Sequence, residues 1–159
     1  MSGENRVTHY LDNHHIRYNL VPHAHSNSSV GSAISAEIPM HNIAKAVVLE
    51  DHEGRNMMAI LPADYKVSLG KLSDELNRSF HLVKEADVYK MFTDCDYGAV
   101  PPIPNAYYMN AVYDDELVNN ETIFLESGDH ETLIKINNDD FKRMMESHRH
   151  LRFSYQAYH

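Results

Sequence analysis

Ile43-Ala44-Lys45-Ala46-Val47-Val48-Leu49, then Asp51-His52-Glu53-Gly54, then Met57-Met58-Ala59-Ile60-Leu61, is the stretch that decides the architecture. Two apolar runs on either side of a short polar turn predict a central β-hairpin. Lys45 is the only charge in the first run. A period of two puts it with Ile43, Val47 and Leu49 on one face of the strand. An ammonium in that setting either snorkels to an edge, its stem covering apolar surface, or faces a cleft that holds a partner, because burying it unpaired is expensive.

Working outward, Val7, Tyr10 and Leu11 recur at helical spacing and predict a short amphipathic helix, and Ile16, Tyr18 and Leu20 alternate with polar residues as a strand would. The polar run at 23–29 reads as a loop whose Ser29 caps a helix over 30–38, stopped by Pro39. Ser68 opens a helix ending near Asn77, and residues 80–83 read as a strand. Residues 87–92 form one or two helical turns, and 93–104, with its prolines, is loop. Residues 107–112 read as extended, 122–126 and 132–136 as a second hairpin, and Asn138 as the cap of a last helix carrying Phe141, Met144 and Met145. No repeat or linker divides the chain. Strands interleaved with helices predict one α/β (α+β) domain over 1–159, its core at about 11–145, built as a mixed sheet or partial barrel with helices against it.

The composition agrees with one soluble globule. The chain has 159 residues, 43% of them hydrophobic and 23% charged. At this length folding buries roughly 68–70% of the unfolded chain's surface, enough for a core without metal or disulfide staples. Fourteen Lys and Arg against 23 Asp and Glu give a formal charge of −9, which speaks against a broad clamp on duplex DNA. The twelve histidines make that balance pH-dependent, since protonating all of them would carry it from −9 to +3. The acids concentrate between Asp114 and Asp140, whereas Lys66, Lys71 and Arg78 offer a local basic patch. A single cysteine, Cys95, excludes an internal disulfide, and no apolar run has the length of a membrane span or signal segment, so a cytoplasmic protein with no membrane association is expected.

Several patterns bear on chemistry. In Gly98-Ala99-Val100-Pro101-Pro102, glycine permits positive φ while the prolines fix the chain and leave rigidly aimed carbonyls; the segment either grips a ligand or is a structural turn. Gly128-Asp129-His130 places an imidazole beside a tight bend, where it either donates to a developing oxyanion or is simply solvated. The histidine doublets lack the i, i+4 spacing and third ligand of a catalytic zinc site, so no metal or other cofactor is expected. Asp94 and Asp96 beside Cys95 work against a thiolate. There is no glycine-rich phosphate loop and no Gly-x-Ser-x-Gly elbow.

Lys45 to Asp51, Leu61-Pro62-Ala63-Asp64, Gly98 to Pro102 and Gly128 to His130, in this order and separation, resemble the YbaK/ProX family of aminoacyl-tRNA deacylases, which includes prolyl-tRNA synthetase editing domains and freestanding relatives. The likeness runs from about Leu11 to Phe141. It implies hydrolysis by water, without metal or covalent intermediate, of the ester joining a wrong small amino acid to the terminal adenosine of a tRNA. In that picture Lys45 and His130 are catalytic. Gly98, Ala99, Val100, Pro101 and Pro102 position the aminoacyl end, as do Gly128 and Asp129, and Ser26 and Ser29 lie where relatives place small hydroxyl residues. The implied partners are the acceptor end of a mischarged tRNA and an aminoacyl-tRNA synthetase. The chain departs from the family pattern at Pro104, where many relatives carry glycine. Two alternatives stand beside the freestanding editing hydrolase: a module of the same fold that binds tRNA or a synthetase without catalysis, and a histidine-dependent metallohydrolase.

Overall fold

The computed structural model describes residues 6–23, 37–95, 99–129 and 131–157. In chain order these form α1 (Arg6–Asn13), β1 (Asn19–Pro22), β2 (Ile43–Asp51), β3 (Asn56–Pro62), β4 (Tyr65–Val67), α2 (Leu69–Leu76), β5 (Phe80–Leu82) and α3 (Glu85–Met91). There follow β6 (Asn110–Asp114), β7 (Thr122–Glu126), β8 (Thr132–Asn137), α4 (Asn138–Met144), β9 (Arg149–Leu151) and β10 (Ser154–Gln156). The helix expected over 30–38 lies mostly outside the described residues.

The apolar hairpin forms the middle of a mixed sheet of order β1-β8-β7-β2-β3-β6-β9, with β5 also pairing with β2. β2 and β3 are antiparallel, in the register Lys45↔Leu61 and Val47↔Ala59. β7 runs parallel to β2, and β6 parallel to β3. The two central strands are uniformly apolar because both of their faces are covered. On one face, Ala44 and Val48 join a core with Val7 and Leu11 of α1, Ile103 and Ala106, and Phe141 and Met144 of α4. On the other, Leu49, Ala59 and Leu61 pack with Leu72 of α2, Phe80 and Phe153, while Ile43 joins a small separate cluster with Ala63 and Leu133.

The expected elements differ from the observed ones mainly where the chain turns. Pro104 starts a 3₁₀ turn over Pro104–Tyr107, and Tyr108 takes a left-handed conformation (φ 54°), so the segment expected to be extended from 107 becomes a strand only at Asn110. Tyr18 belongs to the turn before β1, not to the strand. The last helix is capped by Asn137, whose side chain accepts from the Asp140 N–H at 2.8 Å, one residue earlier than expected. The three-residue strands β4, β9 and β10 are too short to leave a periodic signal.

Three buried aspartates hold the corners. Asp114 accepts from the Glu116 N–H (2.8 Å) and, through Oδ2, from the N–H groups of Phe153 and Ser154 (both 2.9 Å), pinning the C-terminal segment to β6. Asp140 receives Arg17 and Arg143 at 3.2 Å each. Asp51, 2% exposed, closes the central hairpin: Oδ1 accepts from the Glu53 and Arg55 N–H groups, and Oδ2 from the guanidiniums of Arg55 and Arg78. Burial alone would push the Asp51 carboxyl up, but these donors together outweigh it and hold it well below its ordinary value of 3.8. A carboxyl depressed on folding stabilises above its unfolded pKa, and the contribution is lost as the pH falls through the folded one. The stability gap between wild type and Asp51→Asn, measured by urea unfolding, is therefore expected to be full at pH 7 and to shrink progressively below pH 3.8.

Candidate active site

The sheet divides on one edge of β2. Ala63 donates to the Ile43 carbonyl at 2.8 Å and Asp51 to the Arg55 carbonyl at 2.9 Å, so the odd-numbered residues of β2 bond to β3 and the even-numbered ones face the other edge. On that edge β7 pairs only with Ile43 and Ala44, and β5 only with Leu49 to Asp51, extended by a Val83 N–H to the Val48 carbonyl at 3.0 Å. No described strand pairs with the stretch between, which turns the backbone N–H and carbonyl of Ala46 toward the opening. A cavity of about 220 Å³ lies there, lined by Ala46, Val47 and Val48 of β2, Leu82 and Val83, Glu85, Val88 and Tyr89 of α3, and Val100.

Lys45 immediately precedes these lining residues. It stands on the face of Ile43 and Val47, between the two clusters of that face, and is half-buried. Among the described residues its ammonium makes no hydrogen bond or ion pair. Burial lowers its pKa below the ordinary value, Lys66 lowers it further, and Asp64 opposes both. Asp64 itself is buried, with Oδ1 3.6 Å from His41 Nδ1; His41 Nε2 lies 3.7 Å from Glu116 Oε1, and Glu116 Oε2 accepts from Arg152 at 2.7 Å. A chain of polar side chains thus leads from Arg152 at the surface to Asp64, whose charge acts on Lys45.

The proline-rich segment and the second hairpin come together beside this opening. Ala99, Val100, Pro101 and Pro102 are all buried, and Val100 lines the cavity. Gly128 has φ +116°, and a side chain there would be strained and would touch Cys95 Sγ at 3.5 Å, so the glycine lets the β7–β8 turn sit on the stretch entering the proline-rich segment. Asp129 builds that turn: its Oδ1 accepts from the Glu131 and Thr132 N–H groups (2.8 and 2.9 Å) and from Ser127 Oγ. Gly98, His130, Ser26 and Ser29 lie outside the described residues. Cys95 is pushed up to about 12, by burial first and by Asp94 besides, against the lowering effect of its bond with the Tyr107 hydroxyl; it is a structural thiol.

Other sequence-level candidates are placed elsewhere. Arg78 is bound to Asp51 at 2.8 Å and lies over the Phe80 ring, so only Lys66 and Lys71 of the expected basic patch are exposed. His14 stacks on Tyr10, His148 bonds to Asn105 and His150 to Asp115, three separate partners. Sequence reasoning missed the open edge at Ala46, Asp64 as the buried charge facing Lys45, and Glu126. Glu126 is fully buried and, by alternation from Phe124, shares the face of Lys45. The hairpin register sets Lys45 against Leu61, so Asp64 lies three residues further along, just past the end of β3.

The model of the aminoacyl-tRNA editing domain matches residues 21–144. A search of curated proteins found no match. Among solved structures, the hypothetical protein APE2540 superposes with a TM-score of 0.83 at 15% identity, covering 95% of this chain and 100% of that one. A "putative trans-editing enzyme for prolyl tRNA synthetase" superposes with a TM-score of 0.76 at 16% identity, covering 94% and 95%. These structural likenesses establish the fold, and the sequence match over most of the chain establishes the lineage: the protein belongs to the aminoacyl-tRNA editing domain family.

Proposed function

We propose that this protein is a deacylase that acts in trans on mischarged tRNA, releasing a small amino acid by attack of water on the ester to the terminal ribose. The observation that carries the reading is a half-buried lysine, Lys45, without a bonded partner among the described residues and next in β2 to the residues that line a small, mostly apolar slot in a divided sheet. An aminoacyl ester is already activated, so positioning and stabilisation of the oxyanion supply most of the rate without a protein nucleophile. Water adds to the carbonyl carbon, negative charge develops on the carbonyl oxygen, and the carbon–oxygen bond to the ribose then breaks, the proton passing to the departing oxygen. Lys45 faces the developing charge, Asp64 keeps the ammonium oriented, and the Ala46 backbone edge and the Ala99–Val100 segment hold the aminoacyl group. His130, beside the Gly128 turn, orients the attacking water.

The slot fits a small side chain. Its volume of about 220 Å³ is below the roughly 300–1,000 Å³ of pockets that enclose drug-sized ligands, and its lining is aliphatic except for Tyr89 and the carboxylate of Glu85. Selection is by exclusion of larger groups, since a hydrophobic pocket separates one methylene by only about 1–3 kcal/mol and a second sieve is needed after the synthetase.

A panel of mischarged tRNAs tests the reading. Wild type is expected to release amino acid from one or a few small-residue esters, with release undiminished by strong chelation. Lys45→Ala is expected to lose about 10²–10³-fold in turnover, the usual effect of removing one oxyanion donor, with its unfolding midpoint retained. Turnover unchanged by Lys45→Ala would remove this residue from the mechanism, and a salt-sensitive complex without release would mark the chain as a binding module. Ala46→Leu fills the slot and is expected to raise KM for the preferred ester much more than Lys45→Ala does, as shown by steady-state kinetics on the same substrate.

A further inference from the structure

A second cavity, larger than the slot beside Lys45, is an open groove of about 580 Å³ between α1 and the 3₁₀ turn at 104–107. Its lining joins Arg6, His9, Tyr10 and Asn13 of α1 and the following His14 to Asn105 and Tyr108. We infer that this groove seats the single-stranded nucleotides preceding the acylated adenosine, with one base stacked on Tyr108. The inference rests on the site at Lys45 being an editing centre and names where the rest of its substrate lies.

Three observations carry it. First, Tyr108 is 97% exposed, whereas a large aromatic side chain normally gains by burial. It also sits at a left-handed position (φ 54°) closing the 3₁₀ turn, where glycine or asparagine is unstrained and a bulky residue is an outlier. Neither its packing nor its backbone accounts for a tyrosine, and an unburied ring on an anchored turn offers a face on which a base can stack.

Second, the groove is floored by polar and aromatic groups of the kind that read unpaired bases. The Asn105 amide donates to the Tyr10 hydroxyl at 3.0 Å, its oxygen bonds to His148 at 2.7 Å, and the His14 ring lies 4.1 Å from that of Tyr10. Rings for stacking and amides for base edges are the means by which proteins recognise single-stranded RNA. No carboxylate is among its described lining residues, whereas another groove, beside β5, is lined by Glu50 and Asp87 as well as Lys84 and Lys90.

Third, a chain of contacts links the groove to the turn of the second hairpin. Arg6 lies over the Tyr107 ring and 3.6 Å from Asp94, the Tyr107 hydroxyl bonds to Cys95 Sγ at 3.3 Å, and Cys95 packs on the Gly128 turn. The 3₁₀ turn that carries Tyr108 also follows directly on the proline-rich segment whose Val100 lines the slot.

The test is binding of an acceptor minihelix ending in single-stranded CCA, followed by fluorescence anisotropy, with a blunt minihelix as control. Wild type and Tyr108→Phe are expected to prefer the CCA end, and Tyr108→Ala to bind it roughly 5–150-fold more weakly, the equivalent of the ~1–3 kcal/mol of one base–aromatic stack. Tyr108→Gly is expected to weaken binding as much while raising the unfolding temperature, because it relieves the left-handed strain. Equal affinity of wild type and Tyr108→Ala for the CCA end, or no preference of wild type for it over the blunt helix, overturns the assignment. The two readings fail separately. Tyr108-dependent binding with no ester released from any mischarged tRNA supports the groove and removes the deacylase, whereas normal release with an unchanged KM in Tyr108→Ala does the reverse.

Discussion

A charged side chain survives in the middle of this sheet because the sheet divides beside it. β2 is covered on both faces, and at Val48 and Leu49 it is almost completely inaccessible. Between the point where β7 leaves it and the point where β5 joins it, however, its edge is open, and Lys45 lies at the start of that opening. The ammonium is therefore partly desolvated but not buried. Such a cation lacks both full hydration and a close anionic partner, and it interacts strongly with whatever negative charge enters. Asp64, held in place by His41, tempers that state without neutralising it by direct contact. The rest of the site follows from this geometry: the slot is the space left by the missing strand, and Val100 and the Gly128 turn are what border it.

The net charge of −9 is at odds with the proposed RNA substrate until the acids are located. Asp51, Asp114 and Asp140 are each at most 3% exposed and bonded to backbone N–H groups or arginines, and Asp64 and Glu126 are also buried. These carboxylates act as internal fasteners, so the surface is less acidic than the composition indicates. Arginines are consumed in the same way, Arg78 by Asp51 and Arg152 by Glu116. What remains for a nucleic acid is local, which agrees with the proposal that only the end of a tRNA is held.

The sequence made the central hairpin, its polar turn and the face of Lys45 legible because these rest on short-range rules: apolar runs, turn formers and the two-residue period. The β7–β8 hairpin and the Ser68 cap were readable for the same reason. The division of the sheet was not. It depends on β7 pairing with two residues of β2 and β5 with three others, and pairing between distant segments leaves no trace in local composition. Asp64 and Arg78 show the same limit from opposite sides. Both are charged residues in ordinary-looking positions, and only the folded contacts make one a member of the site and the other a fastener.

Pro104 illustrates how a local departure acquires meaning from its surroundings. Proline at the first position of a 3₁₀ turn fixes φ and dispenses with an N–H that the turn would leave unbonded. Ile103 and Ala106 anchor the same turn in the core, and the Met109 N–H closes it onto the Pro104 carbonyl at 3.1 Å. With both ends fixed, the next residue has little choice of conformation, and Tyr108 is carried into the left-handed region with its ring in solvent. A flexible residue at 104 would let the turn relax and the ring fold back onto α1. The stiffness of the proline-rich segment therefore serves two places at once, presenting Val100 to the slot at one end and Tyr108 to the groove at the other.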